Sequence, residues 1–309
     1  MTSVLEAALL ADVAAELGEA PAWDAEREVL SWVDILAGRV HVTSAGGEEL
    51  RRYDVGHAVG AALPAADGGF LLADARGFTR LAEDGAAEDV LDLLASTPGI
   101  RFNDAKCDPA GRAFAGSVAE DSAPVGRLYR LDGGPEATPV LSGLTMANGL
   151  GWSPDARTMW FADSARPCVT GYAYDLESGV LGAVESVIEL QETGGGVPDG
   201  LCVDDDGCVW VALWDGGAVH RYAPDGRLDS VVRLPVQQVT SCTFGGANRS
   251  TLFITTSCWE MAPQQRRMQP GAGGIFVVET GTTGPAATPW RDSAQDDTRK
   301  ADDGRSHVG

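Results

Sequence analysis

The stretch DDDGCVWVALWDGGAVHRYAPDG, residues 204–226, contains the local pattern that decides the fold. An Asp- and Gly-rich turn opens it, and an apolar run from Cys208 to Trp214 follows. The letters DGG then interrupt the run before a second one, AVHRY, which ends at PDG. Aromatic and β-branched residues bounded by Asp, Gly and Pro are typical of short strands joined by tight turns. The stretch therefore predicts two paired strands with turns on either side.

The same phrase recurs along the chain at intervals of about 40–50 residues, which is the period expected of a repeat protein. The copies begin at Trp23, Ala66, Asp108, Ser153, Asp204 and Gly245. Repeated short-stranded units at this spacing predict an all-β protein, a six-bladed β-propeller with a central channel. A sandwich or a β-helix, the rival all-β architectures, would not predict a repeat of this length.

The two ends of the chain differ from the repeats. The segment before the first copy, residues 4–17, is interpreted as an outer strand that closes the ring by pairing with the last blade. Residues 1–290 are predicted to form one propeller domain. The tail 291–309 is charged and nearly free of large apolar groups, a composition typical of disorder.

Composition excludes several classes of function. The 309 residues carry a formal charge of −22, which repels phosphate backbones and anionic lipid. No apolar stretch is long enough to span a membrane, and no basic leader precedes the apolar N-terminus, so a cytoplasmic location is expected. The six cysteines and four histidines show no spacing typical of zinc sites, so reduced thiols are expected.

Isolated polar residues occur where the inner strand of each predicted blade begins. Glu19 lies in LGEAPAWD, Asn148 in MANGLGWSPD, Asp199 in PDGLCVDDDG, and RFND spans residues 101–104. Residues at equivalent places on a ring converge, and two carboxylates with an amide form an oxygen ligand set for a hard divalent cation. Asn-Gly and Asp-Gly are also common turn formers, so a simple turn role for Asn148 and Asp199 stays open.

These segments carry a resemblance to a known family. LGEAPAWD, RFNDAKCDPAGRAFAGS, MANGLGWSPD, PDGLCVDDDGCVWVALWDGG and TSCTFGGANRSTLFITTS occur in order. Together they resemble the SMP-30/gluconolactonase/luciferin-regenerating family, which includes the regucalcins. The resemblance covers about residues 17–279, and it implies the same six-bladed propeller that the repeats predict independently.

The resemblance also implies roles for individual residues. It implies one divalent cation (Ca²⁺, Mg²⁺, Zn²⁺, Mn²⁺ or Fe²⁺) held by Glu19, Asn148 and Asp199, with Asp199 as general base. Arg101 and Asn103 would bind the substrate. Asp121 stands where regucalcins carry a substrate-contacting Glu, and Ala20 replaces the Gly usual after the ligating Glu.

The implied activity is metal-dependent hydrolysis of a sugar lactone to the aldonic acid, a carboxylic ester hydrolase reaction. The expected partner is a small sugar lactone, and the chain is expected to be a monomer or a weak oligomer. Another metal-dependent esterase activity, on aryl esters or phosphotriesters, is the alternative among enzymes. A non-catalytic calcium-binding regulator is the alternative outside them, because fold alone does not fix function.

Overall fold

A computed structural model describes residues 2–190 and 195–292 of the chain. Within these residues the structure is almost entirely strand, with one short helix, α1 (Pro263–Met268). The strands, in chain order, are β1 (Ser3–Glu6), β2 (Ala8–Ala11), β3 (Gly18–Asp24), β4 (Val29–Asp34), β5 (Arg39–Ser44), β6 (Glu49–Asp54), β7 (Val59–Pro64), β8 (Phe70–Asp74), β9 (Phe78–Leu81), β10 (Ala87–Leu91), β11 (Ile100–Cys107), β12 (Ala113–Ala119), β13 (Gly126–Leu131), β14 (Ala137–Leu144), β15 (Ala147–Trp152), β16 (Thr158–Asp163), β17 (Cys168–Asp175), β18 (Val180–Glu189), β19 (Val197–Val203), β20 (Val209–Trp214), β21 (Ala218–Tyr222), β22 (Leu228–Arg233), β23 (Val239–Gly245), β24 (Thr251–Thr256) and β25 (Ile275–Glu279). The helix is far too short and polar to cross a membrane, and the described residues contain no other that could.

The strands form six separate sheets, each with four antiparallel strands that run from an innermost strand outward. The first four sheets are β3–β6, β7–β10, β11–β14 and β15–β18, and the last two are built on β19 and β23. The innermost strands β3, β7, β11, β15, β19 and β23 contact one another in that order, and β23 contacts β3 again. This closed ring of radiating sheets confirms the predicted six-bladed β-propeller.

The N-terminal segment closes the ring with two strands. Strand β2 pairs antiparallel with β25 and is the outer strand of the sixth blade, as the sequence predicted. Strand β1 pairs in parallel with β22, so it adds a fifth strand to the fifth blade, which the repeat pattern did not indicate. The first residues of the chain therefore hold two neighbouring blades together.

The segment after β25 crosses the face of the propeller on which the inner hairpin turns lie. The backbone N–H of Ala287 donates to Trp23 O, that of Trp290 to Pro64 O, and that of Arg291 to Gly111 O. The segment thus passes from the sixth blade over the first three. The predicted disordered tail begins at Arg291, and beyond Asp292 it lies outside the described residues.

The core lies between neighbouring blades, where the faces of successive sheets pack together. Phe78 of the second blade lies 4.8 Å from Phe102 of the third, measured between ring centroids. Trp210 of the fifth blade meets Phe244 of the sixth edge-on at 5.6 Å. Aromatic packing of this kind supplies much of the stability of such interfaces, and it fixes the position of each inner strand around the channel.

Each innermost strand is irregular at the same place, close to its first residue. A register shift of the kind made by a β-bulge interrupts its pairing with the second strand of the blade. The shifts fall between Glu19 and Ala22, Val59 and Ala61, Phe102 and Asp104, Ala147 and Leu150, Pro198 and Leu201, and Val239 and Ser241. Bulges re-aim side chains, and four of these six carry a residue that the sequence singled out.

The bulge of the first blade contains a strained residue. Ala20 has a φ of +45°, in the left-handed region that favours glycine. Its N–H donates to Oε2 of Glu19 at 2.9 Å, so this backbone conformation also holds the neighbouring carboxyl group. A preference for Gly at this position therefore has a conformational cause, which the alanine methyl group opposes.

Replacing Ala20 by glycine removes that steric cost, and we expect the free energy of unfolding to rise by about 1 kcal/mol. Chemical denaturation of the purified variant measures the change. The matched control is Ala62→Gly on β7, where φ is not positive, and there glycine lowers the free energy of unfolding by about 1 kcal/mol. An equal decrease in the free energy of unfolding in both variants would show that Ala20 is not strained.

Candidate metal and active site

The three predicted ligands come together from three different blades. Glu19 lies on β3, Asn148 on β15 and Asp199 on β19, each at the bulge of its innermost strand. Their exposed fractions are 4%, 3% and 5%, so all three are buried in the channel. The simple turn role left open for Asn148 and Asp199 is therefore wrong, because both residues lie inside strands.

Asn148 has one satisfied end and one unsatisfied end. Its amide Nδ2 donates to Ser164 Oγ at 3.0 Å, and Ser164 Oγ donates to Pro198 O at 2.6 Å. The carbonyl oxygen, Oδ1, is buried and accepts no hydrogen bond. A buried acceptor without a hydrogen bond costs free energy of folding. The anchored amide therefore presents an oxygen that a bound cation would satisfy.

Aspartates at the ends of second strands fix the backbone just before two of these residues. Asp34 accepts hydrogen bonds from the N–H groups of Glu16 and Leu17, immediately before Glu19. In the fourth blade Asp163 accepts from Thr145 and Met146, immediately before Asn148. In both blades, therefore, an aspartate at the same place in the repeat holds the backbone that leads into the ligand residue.

The site brings acidic side chains together in a buried part of the channel. Burial raises the pKa of Glu19 well above its usual range, and the nearby carboxyls of Asp199 and Asp104 raise it further. The pKa of Asp199 is raised in the same way, by burial first and then by Asp104. Hydrogen bonding from Asn148 lowers the pKa of Asp199 in part. Without a cation, these groups favour holding protons.

Arg101 and Asn103 form one connected unit beside the acidic cluster. Arg101 Nη1 donates to Asn103 Oδ1 at 2.8 Å, and Asn103 Nδ2 donates to Ala147 O at 3.1 Å. Burial lowers the pKa of Arg101, whereas the charges of Glu19 and Glu120 raise it. The guanidinium stays protonated in proteins, so the site holds one fixed cation with donors to spare.

Asp121 is not part of this cluster. It is exposed in the loop after β12, and its Oδ1 accepts a hydrogen bond from Ala123 N at 3.0 Å. Its neighbour Glu120 is the residue whose charge acts on Arg101. Substrate contact by Asp121 stays a prediction.

The residues present fit a divalent cation of the kind that oxygen ligands select. Two buried carboxyls and an unsatisfied amide oxygen are the donors that hard cations prefer. Within residues 2–190 and 195–292, no group of three or more His, Cys, Asp and Glu side chains forms a ready metal site. The fit therefore depends on the amide oxygen of Asn148 as well as on Glu19 and Asp199.

Fold and site together define a six-bladed propeller whose channel holds a buried acidic cluster. Residues 17–258 match the family model described as SMP-30/Gluconolactonase/LRE-like region. The chain belongs to this family.

Individual relatives cover nearly the whole chain. Regucalcin of Danio rerio is 33% identical over 267 residues, covering 85% of this chain and 90% of the relative. A Bacillus subtilis protein named "Putative sugar lactone lactonase YvrE" is 32% identical over 289 residues, 93% of this chain and 99% of its own. The crystal structure of a calcium-binding protein, regucalcin, from Agrobacterium tumefaciens has a TM-score of 0.88 at 24% identity, covering 94% and 100% of the two chains. The similarity to this crystal structure is evidence for the fold alone.

A divalent cation should stabilise the folded protein through this site. We expect added cation to raise the free energy of unfolding by about 2.7 kcal/mol when its free concentration is roughly 100 times its Kd. Thermal unfolding of chelator-treated protein, with Ca²⁺, Mg²⁺, Mn²⁺, Zn²⁺ and Fe²⁺ added singly, measures the effect as a rise in Tm.

Asn148→Leu tests the ligand set, because it removes the amide oxygen at similar volume. We expect the cation-dependent rise in Tm to disappear while the metal-free Tm changes little. The matched control is Ser164→Ala, which removes only the hydroxyl group that accepts from Asn148 Nδ2. We expect this variant to show most of the cation-dependent rise in Tm. An equal rise in wild type and Asn148→Leu would rule out Asn148 as a ligand.

Proposed function

We propose that the protein is a divalent-cation-dependent lactonase that hydrolyses a sugar lactone to the corresponding aldonic acid. The buried, unsatisfied Asn148 oxygen beside the Glu19 and Asp199 carboxyls carries this proposal. Membership of a family that contains gluconolactonases supports it. The B. subtilis relative, with its lactonase name, supports it further.

The chain's own residues supply binding and proton transfer. A cation bound by Glu19, Asn148 and Asp199 would polarise the lactone carbonyl and acidify the attacking water. Asp199 would accept the proton of that water as its oxygen bonds to the carbonyl carbon. The ring C–O bond then breaks, and the same proton passes to the leaving ring oxygen, which becomes a hydroxyl group.

Arg101 would orient the substrate. Its Nη1 donates to Phe102 O and to Asn103 Oδ1, which fixes the plane of the guanidinium group. An arginine has five N–H donors in a rigid fork, so further donors are left for sugar hydroxyls or for the carboxylate that forms. This polar, cationic neighbour favours a polyol lactone over an aryl ester.

The direct test is acid release from a panel of aldonolactones, with aryl esters and phosphotriesters beside them, by chelator-treated protein with each cation restored singly. We expect hydrolysis above the spontaneous rate with at least one cation and one lactone. Cation binding without hydrolysis of any lactone, aryl ester or phosphotriester would favour a non-catalytic calcium-binding role instead.

Asp199→Asn should lower kcat about 10³-fold at saturating cation, since a general base contributes roughly 10²–10⁴-fold. The matched control is Asp225→Asn, at an exposed aspartate in the turn between β21 and β22, which should leave kcat close to wild type. Initial rates in the acid-release assay measure both. Wild-type turnover by Asp199→Asn would contradict the assignment of the base.

Arg101→Lys should raise KM for the preferred lactone by about tenfold, because a lysine keeps the charge but loses the fork of donors. The cation-dependent rise in Tm should stay unchanged, because Arg101 is not a proposed ligand. A variant with unaltered KM and kcat would remove Arg101 from the substrate site.

A further inference from the structure

Two buried thiols touch where the inner strands of the fifth and sixth blades meet. Cys202 lies on β19 and Cys242 on β23, and their sulfur atoms are 3.6 Å apart. Their exposed fractions are 7% and 1%. Both thiols are free, as are the other four of the chain. The two residues lie 40 positions apart in sequence, so it is the fold that brings their sulfur atoms together.

The backbones of the two strands are close enough for a covalent link. Gly200 stands two residues before Cys202, and a Cβ added to it would lie 2.8 Å from the Cα of Ser241, which precedes Cys242. A disulfide joins sulfur atoms about 2.05 Å apart, on Cα atoms about 4.4–6.8 Å apart. The two sulfur atoms must therefore approach by about 1.5 Å, which rotation about the Cα–Cβ bonds can supply.

The Cys202 thiol faces a space large enough for a small oxidant. It lines a cavity of about 300 Å³ that also touches Ala20 and Asp104, so the space continues from the candidate active site. A water molecule takes up about 30 Å³ in the liquid, so a molecule of the size of hydrogen peroxide fits beside this thiol. Burial raises the pKa of Cys202, which keeps the thiolate fraction low and makes oxidation slow.

We propose that Cys202 and Cys242 form a site of reversible oxidation, at which a peroxide creates a disulfide between the fifth and sixth blades. The Cys202 thiolate attacks one peroxide oxygen, the O–O bond breaks, and the hydroxide released takes the thiol proton to become water. The Cys242 sulfur then attacks the sulfur of the sulfenic acid. The S–O bond breaks and a second water leaves with the Cys242 proton. The two thiols have then supplied the two electrons that reduce the peroxide.

The disulfide would join at the channel two blades that the chain already links at their outer edges. Strands β1 and β2 of the N-terminal segment extend the fifth and sixth blades, whereas both cysteines lie on innermost strands. A link between residues 40 positions apart restricts the unfolded chain and stabilises the folded protein. This site is independent of the proposed lactonase activity, and its tests need no substrate.

Hydrogen peroxide added to folded Cys168→Ser protein tests the site, because Cys168 is the one thiol of the six that is not buried. After digestion without reductant, mass spectrometry should find a cross-linked species of the peptides that contain Cys202 and Cys242. Its mass should be lower than the sum of the two peptides by two hydrogen atoms. The Tm of the oxidised protein should rise by about 5 °C, and dithiothreitol should reverse both changes.

Cys242→Ala in the same background is the variant that removes the partner thiol. Peroxide should then give neither the cross-link nor the rise in Tm. The matched control is Cys107→Ala, which removes another buried thiol and should keep both effects. The proposal is overturned if peroxide yields no cross-link between Cys202 and Cys242 or links other cysteines instead. It is also overturned if the cross-linked protein unfolds at the Tm of the reduced protein, or if Cys242→Ala shows the same rise.

Discussion

The convergence of six inner strands on one axis is the constraint on which the rest of the structure depends. Neighbouring strands approach so closely that a Cβ added to Gly60 would lie 2.7 Å from Phe102 O, and one added to Gly149 would lie 2.6 Å from Asp199 O. Glycine follows Asn148 and Asp199 for this reason, since only a residue without a side chain fits there. The bulges then aim the preceding polar side chains into the space that remains.

Convergence also explains the electrostatics of the channel. Carboxyls from different blades meet where they are buried, so each disfavours the charge of the next. The raised pKa values of Glu19 and Asp199 express this cost. A divalent cation would relieve it and would satisfy Asn148 Oδ1 at the same time. Stability and proposed chemistry therefore depend on the same few atoms.

The architecture could be predicted from sequence because the same pattern of turns and strands occurs six times along the chain. Turn residues, strand lengths and spacing repeat in every blade, so errors at one copy do not affect the count. Strand β1 could not be predicted, because its pairing with β22 is a single long-range contact outside the repeat. Its sequence has no feature that identifies the fifth blade as its partner.

The site could be predicted only in part. Glu19 stands out because a glutamate between Gly18 and Ala20 makes a poor turn, whereas Asn-Gly and Asp-Gly have an ordinary turn explanation. The repeat placed Asn148 and Asp199 at positions equivalent to Glu19, and the resemblance to the family then favoured a ligand role over a turn role. Asp104 was noted within RFND but received no role, and Ser164 gave no signal, because their importance comes from contacts between blades.

The central claim is that Glu19, Asn148 and Asp199 form one cation site on which hydrolysis depends. The most direct test is a titration of metal-free protein in which bound cation and lactone hydrolysis are followed in the same sample. The account predicts that activity rises in proportion to bound cation and reaches its plateau at one equivalent. Full activity in metal-free protein, or a plateau reached without any gain in hydrolysis, would contradict it.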